Sequence, residues 1–207
     1  MKNNNFLKVY ISALPSVYEG KALYPKERQN EIERTKNPEQ KKQKYFAWQL
    51  LQYAFSKEFG NEFESVDFSL DPSGKWLCDI CEFSISHCDN FVAVAISDQP
   101  VGIDIEKISK PKASTFAGRT LNKKELAEYT LLSDAERTGF LIKKWTQKEA
   151  IFKALNSDSF IPVKIDTEDF AVFSKEILFN DLYYFISVFS QNSMIPIFEE
   201  ISSVNLV

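Results

Sequence analysis

A chain of 207 residues with 44% hydrophobic side chains, among them 18 phenylalanines, can bury one large core or two small ones. Charged residues make up 26% and the net charge is −4, which excludes a global attraction to nucleic acid, so a bound polyanion must be held by local basic groups. No apolar run approaches the ~20 residues of a membrane helix, and three cysteines set no disulfide framework, so a cytoplasmic protein with no membrane contact is expected.

The first apolar stretch, FLKVYI at 6–11, reads as a strand and not as a signal peptide, because no small-residue cleavage site follows it. Residues 24–36 are polar and predict a short, frayed helix. Asn37-Pro38 then supplies a cap and a first-turn proline. Phe46, Leu50, Leu51, Ala54 and Phe55 follow at helical spacing until Gly60. DPSG at 71–74 is a turn. Residues 82–86 and 91–97 predict two strands joined around Asp89-Asn90.

A change of composition at 97–100 (SDQP) separates this half from a second one. There 101–105 predicts a strand, and a Lys/Pro-rich loop follows. Helices are expected at 113–119 and 122–132, and a longer one from an Asp134 cap to about Leu155. The long helix carries Phe140, Leu141, Trp145, Ile151, Phe152 and Leu155 on its apolar side. Strands are expected near 161–165, 168–173, 183–190 and 195–201. The fold class is therefore α+β, in two halves of similar make-up, 1–99 and 100–207.

Four segments could carry chemistry. In VGIDIE, 101–106, Asp104 and Glu106 stand two apart on a strand and share a face. Adjacent carboxylates repel unless a cation lies between them, and Mg²⁺ takes one or two protein carboxylates. A merely hydrated strand face is the ordinary alternative. In WTQKEAIFKAL, 145–155, Glu149 and Lys153 are i,i+4 on one helix face. They read as a salt bridge contributing about 0.3–0.5 kcal/mol, or as a metal or base carboxylate beside a phosphate-binding ammonium. Finally Lys75 stands in a turn, and Ser86 precedes His87, the only histidine of the chain. Both Lys75 and His87 could meet a phosphate. Competing with these, Cys78, Cys81, His87 and Cys88 spell C-x2-C-x5-H-C, a zinc set for an interaction module, although adjacent strand residues face opposite ways. The basic runs at 107–112, 123–124 and 143–144 read as solvated surface when taken singly.

Taken in order, the segments resemble the 4′-phosphopantetheinyl transferases of the larger, surfactin-synthetase-activator type. The family's G-x-D-x-E strand is matched by Gly102, Asp104 and Glu106. Its W-x-x-K-E-A-x-x-K helix is matched by Trp145, Lys148, Glu149, Ala150 and Lys153. Its F-x-x-S-H segment is matched by Phe83, Ser86 and His87, and its G-K-P turn in part by Gly74 and Lys75, with Trp76 in place of proline. The resemblance covers about 70–160.

It implies an enzyme of the holo-[acyl-carrier-protein] synthase class, a monomer built as a pseudo-dimer of two α+β halves with the site in the cleft. Coenzyme A is the implied substrate, Mg²⁺ the cofactor, and an apo acyl or peptidyl carrier protein the acceptor. Lys75, Ser86 and His87 are implied at the coenzyme A 3′-phosphate, with Arg28, Lys41 or Lys44 as further basic contacts. Asp104, Glu106 and Glu149 are implied as metal ligands, Lys153 as a phosphate contact, and Glu149 as the base, directly or through water. Basic residues at 119–124 and 143–144 are expected to meet the acidic carrier. A family member that binds coenzyme A without turnover is the alternative within the same resemblance.

Overall fold

The computed structural model describes residues 5–15, 23–60, 63–109 and 115–203. The first half holds β1 (Leu7–Ala13), α1 (Lys26–Glu33), α2 (Pro38–Phe59), β2 (Phe68–Leu70), β3 (Trp76–Cys78), β4 (Glu82–Cys88) and β5 (Phe91–Ser97). The second holds β6 (Val101–Lys107), α3 (Phe116–Thr120), α4 (Lys123–Leu131), α5 (Asp134–Leu155), β7 (Val172–Phe179), β8 (Leu182–Ser190) and β9 (Ile197–Ile201).

The long helices begin where the sequence caps them. The Asn37 side chain accepts the N–H groups of Glu39 and Gln40 at 2.9 and 3.2 Å, and Gly60, at φ +96°, ends α2. For α5 the expected Asp134 cap is corrected by one residue. Ser133 is the cap, its N–H and hydroxyl both donating to Glu136, while Asp134 already belongs to the first turn.

Two expectations of the tail, the strands at 161–165 and 168–173, and one of α5 are also corrected. Residues Pro162–Lys164 and Thr167–Asp169 are single 3₁₀ turns, because Pro162 and the Asp166 side-chain cap favour turns over a ladder. The strand expected at 168–173 begins at Val172 and runs to Phe179. On α5 the buried stripe is Leu141, Ile142, Thr146, Lys148, Ala150, Ile151 and Ala154, whereas Leu155 is exposed. The expected helix at 113–119 lies partly outside the described residues, as does half of the 107–112 basic run.

Among the described residues the strands form sheets ordered β4-β5-β1-β9 and β6-β8-β7, plus the small β2-β3 hairpin. Strand, 22-residue helix and hairpin occur in each half, and β4-β5-β1 has the same order of equivalent elements as β7-β8-β6. β9 departs from this plan. It runs back to the first sheet and pairs parallel with β1.

The two sheets pack face to face. Leu7, Val9, Ile11, Ala93 and Ala95 from one meet Val101, Ile103, Ile105, Ile186 and Val188 from the other. On the outer faces α2 buries Trp48, Leu51 and Phe55 against Val92, Val94 and Ile96, and α5 buries Ala150, Ile151 and Ala154 against Phe189. Each fully buried large side chain contributes about 1.5–3 kcal/mol. Gly102 lets α5 lie directly on β6, since a Cβ there would stand 1.9 Å from the Ala150 carbonyl oxygen.

β4 and β6 are edge strands of different sheets, and side chains close the seam between them. Ser84 accepts the N–H of Ile103 at 3.1 Å, Ser86 that of Ile105 at 3.2 Å, and the Cys88 sulfur that of Lys107 at 3.3 Å. Edge amides that a ladder leaves open are thereby satisfied. The period-two alternation of β4 sends Phe83, Ile85 and His87 the other way.

Candidate active site

The seam brings the two halves of the sequence pattern together. Lys153 of α5 donates to Asp104 Oδ1 at 2.7 Å and to the Ile103 carbonyl at 3.1 Å. The Ser86 hydroxyl donates to the same Oδ1 at 2.9 Å. The other oxygen of this buried carboxylate, Oδ2, has no hydrogen-bond partner among the described residues. The i,i+4 pairing of Glu149 with Lys153 suggested by helical spacing is thus replaced by a pairing across to the strand, where Asp104 is buried and needs the charge more.

Glu106 and Glu149 stand in the same field. Burial, with the Asp104 and Glu149 charges added, pushes Glu106 up to about 7. Burial, with the Asp104 charge added and Lys153 opposing, raises Glu149. The Glu106 carboxylate meets the Cys88 thiol at 3.4 Å. Among the described residues the three carboxylates do not form a closed metal cage. An orphaned Asp104 oxygen beside two carboxyls raised by burial and mutual repulsion nevertheless fits a hard divalent cation that keeps much of its water shell.

A cavity of about 460 Å³ opens beside this cluster, lined by Arg28, Lys44, Lys75, His87, Lys153 and the 156–158 segment, with Trp76, Phe83 and Phe152 as apolar walls. Burial and then the Lys153, Lys44 and Arg28 charges hold the His87 imidazole down at about 4. Lys75 donates to the Lys153 carbonyl at 3.0 Å, and burial lowers its ammonium. Arg28 is buried, with its Nε unpartnered among the described residues, its guanidinium over the Trp48 ring and its NH1 2.7 Å from Glu31. Lys44 approaches the same Glu31 carboxylate at 3.7 Å.

Lys153, Lys75, His87, Arg28 and Lys44 therefore line one cleft, whereas Ser86, expected beside His87, is turned to the opposite face of β4 by the strand alternation and, with Asp104, adjoins the cleft through Lys153. The zinc alternative is not assembled. Cys78 and Cys81 touch each other, sulfurs 3.9 Å apart, at a second cavity, while His87 lines the basic one and Cys88 is engaged at the β4–β6 seam. Of the surface lysines expected to act together, Lys124 pairs with Glu168, and Lys144 bonds Thr167 at 2.7 Å and meets Glu125 at 3.5 Å.

Sequence reasoning passed over two residues, Glu31 and Asn156, and gave a third, Lys148, no role. Glu31 collects Arg28, Lys44 and the Trp76 indole N–H at 3.0 Å, and its signal was the i,i+3 spacing from Arg28. Asn156 ends α5 in the left-handed region, at φ +50°, a usual place for asparagine. Lys148, matched in the helix motif, is fully buried and donates to Glu125 and to the carbonyls of Thr120 and Pro162, so it ties α5 to α4 and the turn beyond.

Residues 100–192 match the model of the 4′-phosphopantetheinyl transferase superfamily. The chain is 29% identical over 117 residues to the 4′-phosphopantetheinyl transferase Sfp of Bacillus subtilis, covering 55% of this chain and 52% of that protein. It is 33% identical over 101 residues to the 4′-phosphopantetheinyl transferase gsp of Aneurinibacillus migulanus, covering 48% and 42%. A holo-[acyl-carrier-protein] synthase of Mycoplasma pneumoniae is 38% identical over 63 residues, 27% of this chain and 53% of the other. The matches thus span about half the length of these curated relatives.

Proposed function

We infer that this chain, a member of the 4′-phosphopantetheinyl transferase superfamily by its match over residues 100–192, transfers the 4′-phosphopantetheine group of coenzyme A to a serine of an apo carrier protein. The observation that carries this reading is the basic cavity lined by Lys153, whose ammonium is held by the Asp104 carboxylate that Ser86 also bonds. A nucleotide with a 3′-phosphate and a pyrophosphate needs cations at two places along a cleft, with carboxylates at the reacting end.

Arg28, Lys44, Lys75 and His87 bind the 3′-phosphate side. His87 enters neutral and donates one hydrogen bond, and the anion then raises its proton affinity. Lys153 turns from Asp104 toward the pyrophosphate as charge develops there. Glu149, raised by burial, takes the proton of the carrier serine, directly or through water. The serine oxygen bonds to the phosphorus that bears pantetheine, the bond from that same phosphorus to the bridging oxygen breaks, and adenosine 3′,5′-bisphosphate leaves with the bridging oxygen. Asp104 and Glu106 would hold Mg²⁺, which when bound supplies charge neutralisation on the pyrophosphate. This division leaves Glu149 basic enough for its own task, since a carboxylate bound tightly to metal is a poor base.

In this reading the protein works as a cytoplasmic monomer, and the repeated strand–helix–hairpin plan supports a pseudo-dimer of halves 1–99 and 100–207 with the cleft between them. No described helix is long and apolar enough to cross a membrane.

The test is the intact mass of apo acyl and apo peptidyl carrier proteins after incubation with this protein, coenzyme A and Mg²⁺. A gain of one phosphopantetheine on the serine, lost with chelator, is expected. No gain on either carrier, while a known transferase modifies both, overturns the reading.

A further inference from the structure

The cleft has two walls from distant parts of the chain, and a small group of side chains joins them at the rim. One wall is the 71–75 turn, which carries Lys75. The other is the C-terminal end of α5, which carries Lys153 and runs into 156–158. The Asn156 amide donates to Asp71 Oδ2 at 2.5 Å, and its carbonyl accepts from the Ser73 hydroxyl at 3.2 Å. The remaining Asp71 oxygen, Oδ1, accepts from the Ser73 hydroxyl at 2.6 Å and from the Lys75 N–H at 2.8 Å. Below this rim the Lys75 ammonium reaches the Lys153 carbonyl at 3.0 Å.

The walls need such a tie. Arg28, Lys44, Lys75 and Lys153 all face the cavity, and in the absence of an anion their charges repel. Glu31 and Asp104 offset this locally for Arg28, Lys44 and Lys153, but neither holds the 71–75 turn. Asn156 is placed for the purpose by the backbone. The left-handed residue that ends α5 aims its side chain across the gap, where glycine would serve the helix end equally well but make no bond.

We propose that Asn156 is a positioning residue: with Asp71 it forms a latch that fixes the Lys75 turn against the end of α5 and so sets the width of the cleft for an anionic nucleotide. The proposal rests on the coenzyme A reading for its ligand but not for the latch. Asn156 and Ser73 are exposed, and hydrogen bonds in water add little to global stability, so the effect falls on local geometry.

The experiment compares Asn156→Gly, Asn156→Asp, and the exchange Asp71→Asn with Asn156→Asp. Glycine keeps the left-handed helix end. The exchanged pair reverses donor and acceptor across the same gap. Two readouts are taken: amide hydrogen exchange of 71–75 in the free protein, and KM for coenzyme A against kcat in carrier modification. In both single variants exchange at 71–75 should rise and KM should rise about tenfold, with kcat falling less than about threefold. The exchanged pair should recover most of both, at an unchanged melting temperature. Unaltered exchange in Asn156→Gly, or a loss the exchanged pair does not restore, overturns the latch. If the wild type fails to modify a carrier, the transferase reading fails instead, and the exchange data still decide whether the latch exists.

Discussion

Lys153 and Ser86 donate to one oxygen of Asp104, at 2.7 and 2.9 Å, so a helix of the second half and a strand of the first converge on a buried carboxylate. Lys153 supplies the charge in that pair. Replacing it with methionine leaves Asp104 buried without a cation, and a loss of about 3 kcal/mol is expected from urea unfolding. Lys153→Arg, which can still reach the carboxylate, should lose less. Equal stability of wild type and Lys153→Met would show that Ser86 and water suffice.

Gly102 is set by packing and not by its own conformation. A methyl group there would meet the backbone of Ala150 and Ala154, at 1.9 Å from one oxygen and 2.7 Å from one nitrogen, and neither atom can swing aside. Gly102→Ala should cost more than about 3 kcal/mol, or prevent accumulation of folded protein, because β6 and α5 must separate. Gly118→Ala, which meets nothing within 4 Å, is the control and should unfold close to wild type.

The pH dependence of stability carries a signature of His87. Burial, then the Lys153, Lys44 and Arg28 charges, keep it at about 4 in the fold, against 6.5 ordinarily. Between these values the unfolded chain binds the proton and the folded chain does not. The stability tied to the neutral imidazole is therefore complete above pH 6.5 and is lost as pH falls through about 4. His87→Gln should flatten the urea midpoint across this window relative to wild type. A parallel decline in both proteins would show that His87 is not held neutral.

The three thiols should label in a fixed order. Contact with the Cys81 thiol holds Cys78 down at about 7, while the same contact and burial push Cys81 up, and burial and Glu106 push Cys88 up. Limiting iodoacetamide at pH 7.5, followed by peptide mapping, should find Cys78 modified first. Modification of Cys88 at an equal rate would mean that the β4–β6 seam opens in solution.

Much of this fold was legible locally. Asn37-Pro38 and Gly60 mark the ends of α2, and the alternation of residues 82–88 marks a strand because one face is buried and the other bonds β6. What the chain does not advertise is where edges go. Nothing in 197–201 says that it leaves its own half to pair with β1, since parallel pairing adds no turn signal. Likewise Ser84 and Ser86 look like ordinary strand residues, and their work in capping open amides appears only when β6 is laid beside them. Asp104, Glu106, Glu149 and Lys153 were legible as a group from spacing and resemblance. The partner that Lys153 chooses was not, because burial of Asp104 overrides the helical i,i+4 preference for Glu149.

The most direct measurement is the rate of phosphopantetheine transfer to an apo carrier protein by wild type and Glu149→Gln, followed side by side by intact mass at saturating coenzyme A and Mg²⁺. Loss of the base should slow transfer by about 10²–10⁴-fold while coenzyme A still binds. Equal rates would remove Glu149, and with it the proposed cleft chemistry, from the reaction.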